Sequence, residues 1–268
     1  MQRREFVAST ATLAAAALGG ATLTMPSTLH AMTNDTAPRA TKKILIAGGG
    51  FRTKFIAYMA QLTGKTRPRV LFLPTASADS PDAIIGFYEA CAPLNVEPFV
   101  QPMFIESLTQ TKGFDEVIFS ADAVLVSGGN TLNQQAIWKA QGIDVVLREA
   151  YARGIVLGGA SAGSLCWFEE GTTDSRPKEL SIVKCLGFLK GSHSPHYDGE
   201  PGRRPLYHAL IGGGQMKPGY ACDEDAGIYF EDGVVTRVVS TRAGAKCYYV
   251  SAVDGKVTER VMEPELIS

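Results

Sequence analysis

The chain of 268 residues lacks runs of like charge and closely spaced cysteines. Its formal net charge is −1, so the overall balance gives no electrostatic reason to expect a nucleic acid partner. Its five cysteines stand far apart in the sequence, which argues against a zinc cluster or a C-x-x-C redox motif. We therefore expect no metal ion and no organic cofactor.

Apolar runs that could cross a bilayer are also missing after the first 31 residues. The N-terminus carries Arg3, Arg4 and Phe6, followed by an alanine-rich apolar stretch over about residues 7–25. This arrangement resembles a twin-arginine (Tat) signal peptide. The alternative is an uncleaved membrane anchor, which the weak apolar character of Ala, Thr, Ser and Gly disfavours.

We predict a Tat-type signal peptide over residues 1–31, cleaved near Ala31, and a polar leader over residues 32–41. The expected partner of the signal is the Tat export machinery, and the expected location is the periplasm or the outside of the cell. Export of a folded chain favours reduced cysteines. Their odd number prevents complete pairing within one chain, although a single bridge is compatible with it.

Residues 42–268 are predicted to form a single domain in which strands and helices alternate. Near-continuous apolar strands separated by helices predict a parallel sheet covered on both faces. A strand-like segment over 96–104 contains two prolines, so we expect it to be irregular or to lie near an edge. After about Asp223, alternating segments and turn signals predict a small antiparallel extension. The main predicted strands are 43–47, 70–73, 123–126 and 155–158, and the main predicted helices are 55–62, 82–94, 132–140, 143–152 and 204–211.

The segment Gly159–Gly163 has the G-x-S-x-G pattern of a nucleophile elbow, with Ser161 at its centre. Glycines on both sides let the chain turn sharply from a strand into a helix without Cβ clashes. An apolar strand precedes the pattern, and we predict a helix after it over residues 164–170. The alternative is a glycine-rich turn that merely exposes a serine.

A serine nucleophile needs a base, which is usually histidine. His193 and His196 stand in a segment that is a polar loop by composition, and the residue chemistry alone does not separate them. His208 falls on a predicted helix and is interpreted as a surface or packing residue. A third group would orient the imidazole, and the candidates are the consecutive acids Asp223, Glu224 and Asp225. The alternative for these acids is a solvated turn.

Two further glycine-rich segments end predicted strands, where sites gather in parallel sheets. The loop Ser127–Thr131 could bring backbone N–H groups to an oxyanion, and a phosphate-binding nest is its second interpretation. Gly48–Gly50 is interpreted as a tight turn.

Taken in order, the segments 127–131, 158–163 and 194–200 resemble those of the peptidase E (alpha-aspartyl dipeptidase) family. The resemblance covers about residues 42–230 and implies a class I glutamine-amidotransferase-like fold, a three-layer α/β arrangement with a doubly wound, mostly parallel sheet. It implies a catalytic Ser161, His196 and Glu224, with oxyanion donors at the backbone of Gly129 and Ala162. The substrate-binding residues that we expect on this basis are Asn130, Glu200, Arg203 and Arg204.

The function that the resemblance implies is a serine exopeptidase that hydrolyses small peptides, especially dipeptides with N-terminal aspartate, through an acyl-enzyme. The order serine, histidine, acid also differs from that of α/β-hydrolases. One alternative is a cyanophycinase-like hydrolase of an aspartate-based polymer, and another is a catalytically silent binding protein on the same fold. An amidotransferase would require cysteine at the elbow, and Cys166 lies five residues too late. A homodimer is compatible with the sequence.

Overall fold

The computed structural model describes residues 40–104 and 109–268. The predicted signal peptide and all but the last two residues of the predicted leader lie outside this part. Among the described residues, no helix is both long and apolar enough to span a membrane.

The larger of two sheets has eight strands in the order β14-β11-β10-β1-β5-β4-β2-β3. Strands β1, β5, β4, β2 and β3 are parallel to their neighbours within this group, and β10 and β11 continue the sheet in antiparallel fashion beyond β1. The predicted edge strand is confirmed, because β3 ends the sheet. The bounds are β1 Lys43–Ala47, β2 Arg69–Leu73, β3 Glu97–Val100, β4 Ala123–Val126, β5 Val156–Ala160, β10 Ala226–Glu231, β11 Val234–Ser240 and β14 Glu265–Leu266.

Helices cover both faces of this sheet and confirm the predicted three layers. Alternate residues of a strand point to opposite faces, so Ile44 and Ile46 join one apolar cluster while Leu45 and Ala47 join the other. Trp138 and Leu147 close the first cluster, and α1 and α2 close the second. The helices are α1 Thr53–Leu62, α2 Pro81–Cys91, α3 Phe114–Phe119, α4 Thr131–Gln141, α5 Ile143–Ala152, α6 Ala162–Leu165 and α7 Arg203–Gly212.

A second sheet of six strands, in the order β13-β12-β9-β8-β6-β7, replaces the predicted small extension. It is mixed, since β8 pairs in parallel with both β6 and β9, and α7 packs against it through Tyr207 and Ile211. The tail after Asp223 is divided, because β10 and β11 join the first sheet and β12 and β13 join the second. The bounds are β6 Glu170–Arg176, β7 Glu179–Lys184, β8 Ser192–Ser194, β9 Gly219–Cys222, β12 Cys247–Val253 and β13 Lys256–Met262.

The predicted helix over residues 164–170 is wrong. Helix α6 lasts one turn, and β6 begins at Glu170. The Glu170 carboxylate is buried, accepts a hydrogen bond from the Lys217 N–H at 2.8 Å and pairs with Lys184. These partners lie far along the chain, and the pairing of β6 with β7 and β8 outweighs the local helical pattern.

Candidate active site

Ser161 lies at the sharp turn between β5 and α6, with φ 57° and ψ −121°. A non-glycine residue in such a conformation costs about 1–3 kcal/mol, which the surrounding structure must supply. A Cβ atom added at Gly163 would lie 2.2 Å from the Val126 carbonyl oxygen, and one added at Gly159 would lie 2.5 Å from the same atom. The two glycines therefore let the elbow approach β4 closely, which fixes the serine at the carboxyl end of the sheet.

The hydroxyl of Ser161 meets the imidazole of His196. The distance from Ser161 Oγ to His196 Nε2 is 2.7 Å, and the other ring nitrogen, Nδ1, hydrogen bonds to Glu224 Oε1. His196 follows β8 and has a φ of 53°, so a second non-glycine residue of this site adopts the left-handed region. The site is partly open, since the side chain of His196 is 20% exposed. Serine, imidazole and carboxylate thus form a continuous hydrogen-bonded chain.

Glu224 reaches His196 because the Gly48–Gly50 turn leaves room for it. A Cβ atom at Gly49 would lie 1.7 Å from Glu224 Oε2, and one at Gly50 would lie 2.0 Å from Asp225 Oδ1. The turn after β1 therefore packs directly against the loop that carries the acids 223–225. Three consecutive glycines at a strand end signal such a close approach, although the sequence does not say what approaches.

Arg242 and Asp198 hold the same loop from the solvent side. The Glu224 N–H donates to Asp198 Oδ1 at 2.7 Å, and Arg242 Nη2 donates to Asp198 Oδ2 at 2.7 Å and to the Glu224 carbonyl at 2.9 Å. Arg242 also pairs with Asp225. Sequence reasoning missed Arg242 because it lies on a polar turn with no motif around it.

The three consecutive acids have different surroundings, and only Glu224 bonds to His196 among the described contacts. Asp223 is buried and accepts hydrogen bonds from the Lys246 N–H at 2.9 Å and the Tyr248 hydroxyl at 3.4 Å. Burial raises the pKa of Asp223 above its usual value. Asp225 is engaged by Arg242.

His193, the other candidate base, is buried behind the elbow. Its Nδ1 lies 3.0 Å from the Tyr220 carbonyl oxygen and its Nε2 lies 2.9 Å from Ser164 Oγ. Burial lowers the pKa of His193 to about 3, so the ring is neutral. A carbonyl only accepts, so Nδ1 carries the proton and Nε2 has none. The single hydroxyl proton of Ser164 is shared between Nε2 and the Ser161 carbonyl oxygen, which lies 2.8 Å from Ser164 Oγ. The expected polar loop is wrong at this residue, because β8 inserts between β6 and β9.

His208, which was interpreted as a surface or packing residue, lies on α7. Its Nε2 is 2.8 Å from Glu259 Oε2.

The loop that precedes α4 runs beside the serine. A Cβ atom at Gly128 would lie 3.3 Å from Ser161 Cβ, and one at Gly129, whose φ is 132°, would lie 2.1 Å from the Ala76 carbonyl oxygen. Within the described residues, the N–H of Gly129 donates to no protein acceptor. Ala162 follows Ser161 directly and begins α6. Both expected oxyanion donors therefore lie on segments next to the serine.

Asn130 and Arg203, two of the expected substrate-binding residues, are engaged by the protein itself. Asn130 caps α4 by accepting from the Asn133 N–H at 2.9 Å, and its amide donates to the Ser175 carbonyl at 3.0 Å. Arg203 is 1% exposed, donates to the Thr172 carbonyl at 2.9 Å and pairs with Glu200 and Asp174. The expectation for Arg203 is corrected, since a buried guanidinium must be paired and this one is.

Glu200 and Arg204 are likewise occupied. Glu200 Oε2 accepts from Arg203 Nε at 2.6 Å. Arg204 pairs with Glu259 and lies over the rings of Tyr197 and Tyr248 at 5.2 and 5.0 Å. Neither residue lines the cavity that opens in front of Ser161 among the residues that the structure describes.

That cavity has a volume of about 690 Å³ and extends from Ser161 and His196 along α1 and α2. Arg52 lines it and is exposed, and its guanidinium has no hydrogen bond or ion pair within the described part of the chain. Sequence reasoning missed this arginine, whose one signal is its position two residues after the glycine turn.

Solved structures with the same fold place the protein in a structural class. A protein of Listeria monocytogenes EGD-e that carries the name peptidase E aligns with a TM-score of 0.58 and 19% identity, over 76% of this chain and 100% of that one. A peptidase from an acI-B1 Actinobacterium aligns with a TM-score of 0.64 and 15% identity, over 84% and 95%. The chain thus has the class I glutamine-amidotransferase-like fold that the resemblance implies.

Sequence comparison assigns the family. Residues 44–238 match peptidase family S51. A Bacillus subtilis (strain 168) relative named uncharacterized peptidase YgaJ is 41% identical over 221 residues, which cover 81% of this chain and 94% of the relative. The chain belongs to peptidase family S51 and is a serine-type peptidase, which confirms the resemblance drawn from the motifs.

Proposed function

We propose that the protein is a serine exopeptidase that hydrolyses small peptides, in particular dipeptides with N-terminal aspartate, through a Ser161–His196–Glu224 triad. The observation that carries this proposal is the continuous chain from Ser161 Oγ through the imidazole of His196 to the Glu224 carboxylate, with a 2.7 Å contact at the serine. That geometry provides a nucleophile, its base and a group that orients the base.

The first half of the reaction forms an acyl-enzyme. Ser161 Oγ attacks the scissile carbonyl carbon while His196 Nε2 takes the hydroxyl proton, and the Glu224 carboxylate stabilises the imidazolium. The backbone N–H groups of Gly129 and Ala162 donate to the oxygen that becomes negative. When the C–N bond breaks, His196 gives its proton to the leaving amine.

The second half returns the enzyme to its starting state. A water molecule attacks the acyl carbon, His196 takes its proton, and the C–O bond to Ser161 breaks with return of the proton to Oγ. The free acid then leaves. The imidazole of His196 therefore carries the Ser161 proton to the leaving amine in the first half and the water proton to Ser161 Oγ in the second.

Cys166 is a poor alternative nucleophile. Its thiol is fully buried and contacts the Gly163 carbonyl at 3.5 Å. Burial raises the pKa of the Cys166 thiol well above its usual value, whereas reactive cysteines have lowered pKa values and access to solvent.

The test is hydrolysis of Asp-Xaa, Glu-Xaa, Asn-Xaa and neutral dipeptides by the purified protein and its Ser161→Ala variant. Cleavage of Asp-Xaa that the variant lacks supports the proposal. Equal cleavage by both proteins refutes the assignment of the nucleophile. If neither cuts a dipeptide, aspartate-based polymers become the next substrates, and failure on these favours the silent binding protein.

We also propose that the protein is exported by the Tat machinery and acts in the periplasm or outside the cell. The support is the sequence alone, with Arg3 and Arg4 ahead of an apolar stretch. Replacement of both arginines by lysine should leave the unprocessed protein in the cytoplasmic fraction, and unchanged fractionation would refute this. Gel filtration would show whether the protein forms the homodimer that its sequence permits.

A further inference from the structure

The cavity at Ser161 continues into a cleft between α1 and α2 that is mostly apolar. Its floor is formed by β2 and β4, and its walls by the two helices. Apart from the catalytic end, the side chains that line it are chiefly carbon, and the main ones are Ile56, Phe72, Ala83, Phe87, Ala90 and Leu125. A cleft of this composition favours an apolar group over a charged one.

Gly86 keeps one wall of this cleft open. It stands in the middle of α2, where glycine is a poor helix former, and a Cβ atom added there would meet no heavy atom within 4 Å. Most side chains would therefore fit the backbone at this position, and Gly86 itself lines the cavity. The space beside Gly86 is available for a ligand.

Arg52 supplies a positive charge in the same cavity. It is the N-cap residue of α1, its side chain makes no capping bond, and within the described residues it has no acidic partner. The arginines at positions 203, 204 and 242 are all paired with acids. The N-terminus of α1 adds its own partial positive charge at this point. An unpaired guanidinium is suited to binding a carboxylate with two parallel hydrogen bonds.

We propose that this cleft binds the leaving residue of the substrate, with an apolar side chain between α1 and α2 and the terminal α-carboxylate on Arg52. This inference rests on the proposed function and specifies its substrate class as small peptides with an apolar C-terminal residue and a free carboxylate. Glu89, which lines the α2 wall, adds a negative charge that disfavours acidic leaving residues.

The first experiment compares kcat/KM for Asp-Gly, Asp-Leu, Asp-Phe and the amide of Asp-Leu. We expect Asp-Leu and Asp-Phe to exceed Asp-Gly by about 10- to 100-fold, in line with the discrimination that apolar pockets achieve. Arg52→Gln should reduce the preference for the free acid over the amide at least about tenfold. Lys54→Gln removes the same charge from an exposed residue of α1 outside the cavity and should leave that preference unchanged.

The second experiment fills the cleft with Gly86→Leu. We expect this variant to fold, because leucine strengthens the helix and meets open space, and a thermal melt checks that. Cleavage of Asp-Leu should fall at least about tenfold while cleavage of Asp-Gly stays within a factor of about two. Undiminished cleavage of Asp-Leu by Gly86→Leu, or an unaltered acid-to-amide ratio in Arg52→Gln, would overturn the inference.

A binding measurement separates this inference from the proposed function. Calorimetry of the Ser161→Ala protein with free leucine, glycine and leucinamide requires no catalysis. Tighter binding of leucine than of the other two, lost in the Ser161→Ala/Arg52→Gln double variant, supports the subsite even if the nucleophile assignment fails. Equal binding of all three, or none, counts against the subsite even if Asp-Xaa hydrolysis is established.

Discussion

Gly49→Ala should displace Glu224, the acid of the proposed triad, without unfolding the protein. The φ angle of Gly49 is not in the positive range that favours glycine, so alanine fits the backbone at this position. Its methyl group would fall 1.7 Å from Glu224 Oε2 and 2.5 Å from Glu224 Cδ. The atoms that must move are the end of a flexible side chain that is 35% exposed, so the cost in unfolding free energy should stay below about 1 kcal/mol.

The effect on catalysis should be much larger. An ordinary contact requires 3.4 Å, so the carboxylate must retreat by about 1.7 Å and lose its hydrogen bond to His196. Misplacement of a catalytic group by about 1 Å costs roughly 10²-fold, and loss of the orienting acid costs up to about 10⁴-fold. We therefore expect kcat to fall by about 10²- to 10⁴-fold, which corresponds to roughly 2.7–5.5 kcal/mol of activation free energy.

The assay is steady-state hydrolysis of the best dipeptide together with a thermal melt. Gly202→Ala is the matched control, because its added Cβ meets only the tip of Leu180 at 3.2 Å. In a double-mutant cycle, Gly49→Ala should add little to Glu224→Ala, since both act on the same group. Full activity in a folded Gly49→Ala protein, or additive losses in the cycle, would refute the reasoning.

Three more predictions concern the elbow, the buried imidazole and a surface acid. Ser161→Gly should be more stable than Ser161→Ala by about 1–2 kcal/mol in chemical unfolding, because glycine relieves the strained backbone. His193→Ala should destabilise the fold, since it removes a buried, hydrogen-bonded side chain, yet leave the shape of the pH–rate profile above pH 5 unchanged, because burial lowers the pKa of His193 to about 3. The Gly191 N–H and Lys217 hold the pKa of Glu169 at about 2, below its usual 4.5. Glu169 therefore stabilises the fold above pH 4.5, and Glu169→Gln should melt lower than the parent at pH 6, with the two curves converging as pH falls toward 2.

The parallel core of the fold could be predicted from the sequence because its signals are local. Strands such as 43–47 and 123–126 are continuous apolar runs, and the predicted helix over 143–152 has the bounds of α5. The second sheet could not be predicted in the same way. Strand β8 has only three residues and β6 is largely polar, so the order of this sheet depends on contacts between distant segments.

The residues of the site also fall into those that the local sequence could predict and those that depend on contacts between distant segments. The G-x-S-x-G pattern carries its own conformational requirement, so Ser161 could be proposed from five residues. The choice between His193 and His196 depends on which of them lies behind the elbow. This position is decided by the pairing of β8 within the second sheet. Arg203 has the right charge for a substrate carboxylate, but the Thr172 carbonyl that it bonds lies 31 residues away. No local pattern reveals such a partner.

The packing of Glu224 against the Gly48–Gly50 turn has a consequence for protein synthesis. Strand β1 is synthesised well before its neighbours β5 and β10, which adjoin Ser161 and Glu224 in the chain. A chain whose translation stops before residue 224 lacks both Glu224 and strand β10, which pairs with β1 and contributes to the core. We therefore expect a fragment that ends before residue 224 to have neither the complete sheet nor the proposed triad, and so to lack the activity of the full chain.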